Sequence, residues 1–383
     1  VFYVLTFPSA DATLVYDADL DKVLIAGRGI KEHKPVEVHV ALANALNCDL
    51  WLNFSPYATD DHIAQATAKV RDALNTGLRF YPEFTNEDWN PGAGFLQTIL
   101  SQNKGIALGF SSADNRRVYG HYAKRVREIM EIVGDTWGGR QGLKRVLAFQ
   151  AFGPASGTQT YRMEGADLGA WGYATAPNRP VDYCEVLSYA TYYHGANALA
   201  FDSQYTGALM ELIAAADDYD SGVPADMQSA LDWLDNDIRQ GDDGEETLKV
   251  LNDDIYPRWE TRAATFEKDI VCYEGGLQIK EPSTSRLTVL GIDTGYTAKI
   301  KALFDGYKSD NRCKMLVYDQ IQQFMRKAHS RVPAWYAAFG NNQWSAYGTD
   351  IYSDPWKSWD ALVLYNNTTT PKRFTLTIQA ASE

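Results

Sequence analysis

Residues 48–87, CDLWLNFSPYATDDHIAQATAKVRDALNTGLRFYPEFTNE, decide the fold class. CDLWLNF (48–54) is a short apolar run that reads as a buried strand ending at Ser55-Pro56. In the next segment Ile63, Ala66, Val70 and Leu74 recur at helical spacing, with Asp60 or Asp61 to cap the start and Gly77 to close the end. A second strand, LRFYPEFTNE (78–87), follows at once, with Phe80 and Phe84 on one face and Arg79, Tyr81, Glu83 and Thr85 on the other. Strand, helix, strand in this order is the unit of a parallel sheet, because a parallel neighbour needs a crossover connection.

The same alternation extends in both directions. PVEVHVALANALN (35–47) suits a helix ahead of the first strand. Downstream, Tyr122, Val126, Ile129 and Val133 mark a helix over 121–133 that stops at Gly134, and RVLAFQAF (145–152) follows as a strand. YCEVLSYATYY (183–193) and DIVCYEGG (269–276) are further strands, and 318–328 a further helix. Between the last two strands, residues 225–267 read as two amphipathic helices. Met227, Leu231, Leu234 and Ile238 line one, and Leu248, Leu251, Ile255 and Trp259 the other, with the acidic turn QGDDGEE between them. They form part of a helical insertion over about 203–267, expected to shape one wall of a cleft. VFYVLTF, ATLVYD and KVLIA near the start, and RFTLTIQAA near the end, are short β segments. The expected class is α/β: a (β/α)8 TIM-type barrel over 29–360, with small β elements at 1–28 and 361–383.

Composition narrows the function. The chain has 383 residues and a formal net charge of −13, which leaves no surplus of Lys and Arg to hold a phosphate backbone and argues against nucleic acid as a partner. No apolar stretch approaches the ~20 residues that span a bilayer. Aromatic residues make up 13%, and exposed aromatic faces are surfaces on which sugar rings stack. Cys48, Cys184, Cys272 and Cys313 form no CxxC pair and read as buried thiols, and the six histidines form no HExxH, so neither a metal nor another cofactor is expected. GxSxG is absent, which lowers a serine-triad reading. The chain begins VFYVLTF, with neither Met nor a signal-peptide pattern, and reads as a mature or fragmentary form.

The chemistry concentrates at two strand ends. FTNEDWN (84–90) puts Asn86 and Glu87 at the close of one strand, and IVCYEGG (270–276) puts Glu274 in the same position on a later one, with Gly275 and Gly276 permitting close approach. In barrel enzymes this end of the strands carries the active site. Two such carboxyl groups are what glycoside hydrolysis requires.

FTNEDWN resembles the Asn-Glu signature at the end of the fourth strand of clan A (β/α)8 glycoside hydrolases. It is closer still to the EYSNEVWN segment of a poorly characterised bacterial group of that type. VALANALNCDLWLNFSPYATDDHIAQAT (40–67) is similar to the segment that precedes the signature in that group, and IVCYEGGLQ resembles its YEGG nucleophile segment. The resemblance runs in order from residue 30 to about 280. It implies a retaining mechanism with Glu87 as acid/base and Glu274 as nucleophile, Asn86 on the sugar 2-hydroxyl, and Tyr192 or Tyr193 beside the nucleophile. It further implies a sugar platform at Trp344 or Trp335, and Gln150 belongs with the substrate-binding residues. An oligosaccharide or polysaccharide is then the partner, and the place of work is outside the cell or on its surface.

One departure stands out. The family pattern places three strands before the one bearing Glu87, whereas only CDLWLNF reads as such a strand, and Arg28 is the sole candidate for the strand-two arginine. Either residues 1–28 supply unusual early strands or part of the barrel lies outside this sequence. A second function is carried alongside: a non-catalytic carbohydrate-binding protein, or a virion or surface structural protein, on a degenerate barrel.

Overall fold

The computed structural model describes residues 14–17, 22–25, 36–90, 96–112, 116–149, 162–165, 168–193, 206–241, 247–279 and 281–327. β1 (Leu14–Asp17) and β2 (Lys22–Ile25) pair antiparallel as a sheet of their own. β3 (Leu50–Phe54), β4 (Phe80–Phe84), β5 (Val146–Phe149), β6 (Val186–Tyr193) and β7 (Asp269–Leu277) form one parallel sheet in sequence order, curled as a half-barrel. The α/β class therefore stands, with five parallel strands among the described residues rather than the expected eight. The described early residues form the hairpin and add no strand to this sheet.

The crossovers from β3 to β4 and from β4 to β5 are helical. α1 (Val36–Leu46) precedes β3, α2 (Asp60–Ala73) joins β3 to β4, and α3 (Leu96–Ala107) and α4 (Arg116–Trp137) lie between β4 and β5. α2 starts one residue earlier than expected at its cap: the Thr59 side chain accepts from His62 N–H at 3.1 Å, and Asp60 and Asp61 occupy the first turn. The helix ends at Ala73, and Gly77, at φ +97°, belongs to the turn beyond it. Asn44 of α1 ties that end down, donating to Ala73 C=O and accepting from Asn75 N–H, both at 2.8 Å.

α4 buries Tyr122, Val126, Ile129 and Val133 as the spacing requires, but it runs through Gly134 to Trp137 and stops at Gly138 and Gly139, both with positive φ. Gly134 is not a terminator. A Cβ there would come within 2.7 Å of Arg145 Nη1, so the glycine makes room for the arginine that pairs with Glu185 and donates to Met130 C=O.

The β3–β4 register, Leu50↔Phe80 through Phe54↔Phe84, is set at its start by Asp49, which accepts from both the backbone N–H and Nε of Arg79, at 2.7 and 2.9 Å. β5 joins through Glu83↔Val146, and β6 through Val146↔Val186 to Phe149↔Tyr189.

The described residues divide into two compact units. The first runs to Tyr189 and includes Arg262–Ile270; the second comprises Ala190–Thr261 and the residues from Val271 onward. The helices of the second unit are α5 (Thr206–Asp220), α6 (Pro224–Gln240), α7 (Leu248–Val250), a π-helical turn Leu251–Ile255, and α8 (Tyr256–Phe266), whose last turn belongs to the first unit. α9 (Thr284–Val289), α10 (Tyr296–Lys308) and α11 (Asn311–Lys327) follow β7. The expected stripes are buried: Leu231, Leu234 and Ile238 on α6, with Met227 half-buried, and Leu248, Leu251, Ile255 and Trp259 on the next helical stretch. α11 begins seven residues before the expected 318, because Cys313, Leu316 and Val317 extend its buried face.

Candidate functional site

β4 is buried on both faces, which its sequence explains by alternation. Phe80 and Phe84 face α4, stacking on Trp137 at 5.4 Å and tilting on Tyr122 at 5.9 Å. Tyr81 and Glu83 face the other way, beside Trp51 and Asn53 of β3. The Trp51 and Tyr81 rings stack at 5.5 Å, and Trp51 Nε1 donates to Glu83 Oε2 at 2.7 Å. Glu83 is 1% exposed, and its Oε1 has no hydrogen-bond partner among the described residues. Burial pushes its carboxyl up to about 8; the Trp51 hydrogen bond opposes the shift, and the charge of Glu87 adds to it.

The chain then turns at Thr85–Asn86–Glu87. Thr85 N–H donates to Phe54 C=O at 3.1 Å, after which Thr85 and Glu87 adopt φ of +46° and +47°. Left-handed backbone costs a non-glycine residue roughly 1–2 kcal/mol, and such strain persists where the surroundings over-determine it. Here they do. Asn86 C=O accepts from Gln97 Nε2 of α3 at 2.7 Å, Asn90 Nδ2 donates to Glu87 Oε2 at 2.7 Å, and Trp89 meets the Tyr122 ring edge-on at 5.3 Å. Asn86 is 4% exposed, and its Oδ1 lacks a partner among the described residues, whereas Glu87 is half-exposed.

Asp88 is fully buried. Burial pushes it up to about 8; Ser101 opposes the shift, although among the described residues no hydrogen bond of sound geometry reaches either carboxyl oxygen. The Ser101 hydroxyl instead lies 2.8 Å from His121 Nδ1. Burial, then the charges of Arg125, Lys104 and Lys124, push His121 down to about 4, so the ring is neutral at pH 7.

Glu274 belongs to the second unit. It is 3% exposed, and β7 continues past it to Leu277, so Glu274 lies within the strand rather than at the expected end. Its C=O accepts from Cys272 Sγ at 2.8 Å. Cys272 Sγ is also 3.3 Å from Thr191 Oγ1 of β6, which in turn accepts from Gln320 Nε2 of α11 at 3.1 Å. Gly275 is required by the same approach: a Cβ there would fall 2.0 Å from Thr191 Oγ1 and 2.9 Å from Thr191 N. Tyr192 and Tyr193 are the last residues of β6 and face opposite sides of it. Tyr192 is half-buried; Tyr193 is fully buried, and its hydroxyl has no partner among the described residues.

Asn86 and Glu87 thus stand together in the first unit, and Glu274, Tyr192 and Tyr193 in the second. Gln150, Trp335, Trp344 and Arg28 lie outside the described residues, as do VFYVLTF and RFTLTIQAA. The sequence expectation passes over Glu83 and Asp88, the two buried carboxyls that flank the turn. The available signal was a glutamate inside the apolar run FYPEF, four residues before Glu87. Cys184, Cys272 and Cys313 are buried thiols, as expected, and Cys48 is half-buried. Among the described residues no three His, Cys, Asp or Glu side chains group to hold a metal ion, and no helix is long and apolar enough to cross a membrane. Comparison with protein-family models, curated proteins and solved structures finds no match to the chain.

Proposed function

We propose that the chain is a retaining glycoside hydrolase on a (β/α)8-type barrel, cleaving β-glycosidic bonds of an oligosaccharide or polysaccharide with Glu87 as acid/base and Glu274 as nucleophile. The observation that carries this reading is the Thr85–Glu87 turn. A half-exposed carboxylate stands just past the C-terminal end of a parallel strand, on backbone held left-handed at two non-glycine residues. Strain of this kind at this end of a parallel strand is a mark of a working site. The strand order supports it: Glu87 follows the second strand of the sheet and Glu274 lies on the fifth.

In the first step the Glu274 carboxylate attacks the anomeric carbon, the glycosidic C–O bond breaks, and Glu87 gives its proton to the leaving oxygen. In the second, Glu87 takes a proton from water, whose oxygen attacks the same carbon and releases Glu274. Asn86 Oδ1, buried and unpartnered among the described residues, is suited to accept from the sugar 2-hydroxyl. Tyr192 or Tyr193 would orient the nucleophile, and Gln150 with Trp344 or Trp335 would complete the sugar contacts. A polymeric substrate implies work outside the cell or on its surface.

The test is release of reducing ends from a panel of β-glucans, mannans, xylans and galactans. Glu87→Ala should abolish release while sugar binding persists, and a 2-deoxy-2-fluoro glycoside with a good leaving group should leave a covalent adduct on Glu274. Undiminished release by the Glu87 variant, or an adduct on another residue, overturns the assignment. Sugar binding without release by the native chain favours the non-catalytic carbohydrate-binding reading.

A further inference from the structure

One helix holds the turn after β4 from outside the sheet. Gln97 and Thr98, adjacent on α3 and both buried, each donate to a carbonyl of the turn: Gln97 Nε2 to Asn86 C=O at 2.7 Å, and Thr98 Oγ1 to Asn90 C=O. A threonine hydroxyl inside a helix ordinarily turns back to a carbonyl of its own helix, whereas this one is spent on the turn. α3 is itself fixed against α4. Ser101 Oγ lies 2.8 Å from His121 Nδ1, and a Cβ at Gly105 would collide with Arg117 C=O, so the two helices meet backbone to backbone.

Glu87 stands between the two held carbonyls. Asn90 N–H donates to Glu87 C=O at 3.0 Å, closing the turn, and Asn90 Nδ2 donates to Glu87 Oε2 at 2.7 Å. A path of hydrogen bonds thus runs from Thr98 through Asn90 to one particular oxygen of Glu87. That oxygen is a poor place for an acid proton: protonated, Oε2 would become a hydroxyl and a weak acceptor, and the amide would lose its bond. With the proton on Oε1, Oε2 keeps its carbonyl character and the bond survives.

We propose that Asn90 is a positioning residue for Glu87: anchored at its own carbonyl by Thr98, it engages Oε2, fixes the plane of the carboxyl and assigns the acid/base proton to Oε1. In the first step Oε1 gives that proton to the leaving oxygen as the glycosidic C–O bond breaks; in the second the same atom takes a proton from the attacking water. The proton-transfer role rests on the reading of Glu87 as acid/base. The hold of Thr98 and Asn90 on Oε2 does not, and can be measured without any substrate.

The first measurement is the side-chain amide NMR spectrum of the full chain labelled with 15N-asparagine, the Asn90 side chain being assigned through its backbone. One Nδ2 proton should lie downfield, as a carboxylate-bonded amide does, and should move upfield in Glu87→Ala and in Thr98→Val. The second compares kcat/KM on phenyl and dinitrophenyl β-glycosides of the sugar released in the panel above. Asn90→Ala should lose on the order of tenfold or more on the phenyl glycoside, whose leaving oxygen needs a proton, and little on the dinitrophenyl glycoside, whose leaving oxygen does not. Thr98→Val keeps the shape and loses the hydroxyl; it should lose less in the same pattern, and it decides alone should Asn90→Ala fail to fold. An Nδ2 proton unmoved by Glu87→Ala, or equal losses on both glycosides such as a merely weakened fold would give, overturns the proposal. A native chain that releases no sugar while its Asn90 amide still responds to Glu87→Ala would keep the hold and remove the glycosidase reading, and the proton assignment with it.

Discussion

The indole N–H of Trp51 donates to Glu83 Oε2 at 2.7 Å, joining two residues 32 positions apart on neighbouring parallel strands. This bond is the described hydrogen bond to a carboxyl that otherwise lies buried without a partner, and it ties β3 to β4 two residues before the turn that carries Glu87. Trp51→Phe should keep the stack on Tyr81 but lose the donor, at a cost of about 1 kcal/mol in urea unfolding at pH 7. It should also move the Glu83 midpoint above its native position, since the lost bond is what holds it down. An unchanged urea midpoint would mean the bond contributes nothing.

Buried acids make the fold sensitive to alkali. Glu83 and Asp88 are raised from 4.5 and 3.8 to about 8, so the folded chain retains protons that the unfolded chain has lost above about pH 5. Their contribution to stability is complete below the unfolded values and is lost as pH rises through the folded ones. His121 works in the opposite sense, lowered from 6.5 to about 4, but it is neutral in both states above pH 6.5 or so and drops out of this window. Between pH 6.5 and 8 each acid should therefore cost on the order of 1 kcal/mol per pH unit. Glu83→Gln should flatten the fall of the urea midpoint over that window by about half. Parallel curves for variant and native protein would show that Glu83 is ionised throughout.

Gly275 faces Thr191 at a distance that leaves no room for a methyl group. Gly275→Ala should cost roughly 1–3 kcal/mol by overpacking. Adding Thr191→Ala should recover part of the loss, because the hydroxyl is the nearest clash, but not all, because Thr191 N is next at 2.9 Å. A double-mutant cycle reads this directly, and additive losses would place the two residues out of contact.

Thr59, not Asp60, caps α2. Thr59→Ala should lower stability by about 1 kcal/mol. Asp60→Ala should lower it less, because Asp60 contributes a first-turn charge and an exposed pair with Arg125. Thermal unfolding of the two variants compares them, and the reverse order would return the cap to Asp60.

What this sequence determines unaided is its local order. Apolar spacing over 35–87 predicts α1, β3, α2 and β4 within a few residues, because the periods of 3.6 and 2 report which side chains leave water whatever lies across from them. The same logic finds the buried stripes of α4 and α6. It misplaces the end of α4 because Gly134 answers to Arg145, which only packing brings alongside. The Asn86-Glu87 pair is visible as a motif, but the left-handed turn that carries it is not, since its geometry depends on Gln97, Asn90 and Trp89 holding it from outside the strand. Glu83 is the sharpest case. Its place on the polar face of β4 is written in the alternation, whereas its proton is decided by tertiary structure. Trp51 from 32 residues away closes over it and water is excluded, and proton affinity is a property of the surroundings rather than of the residue.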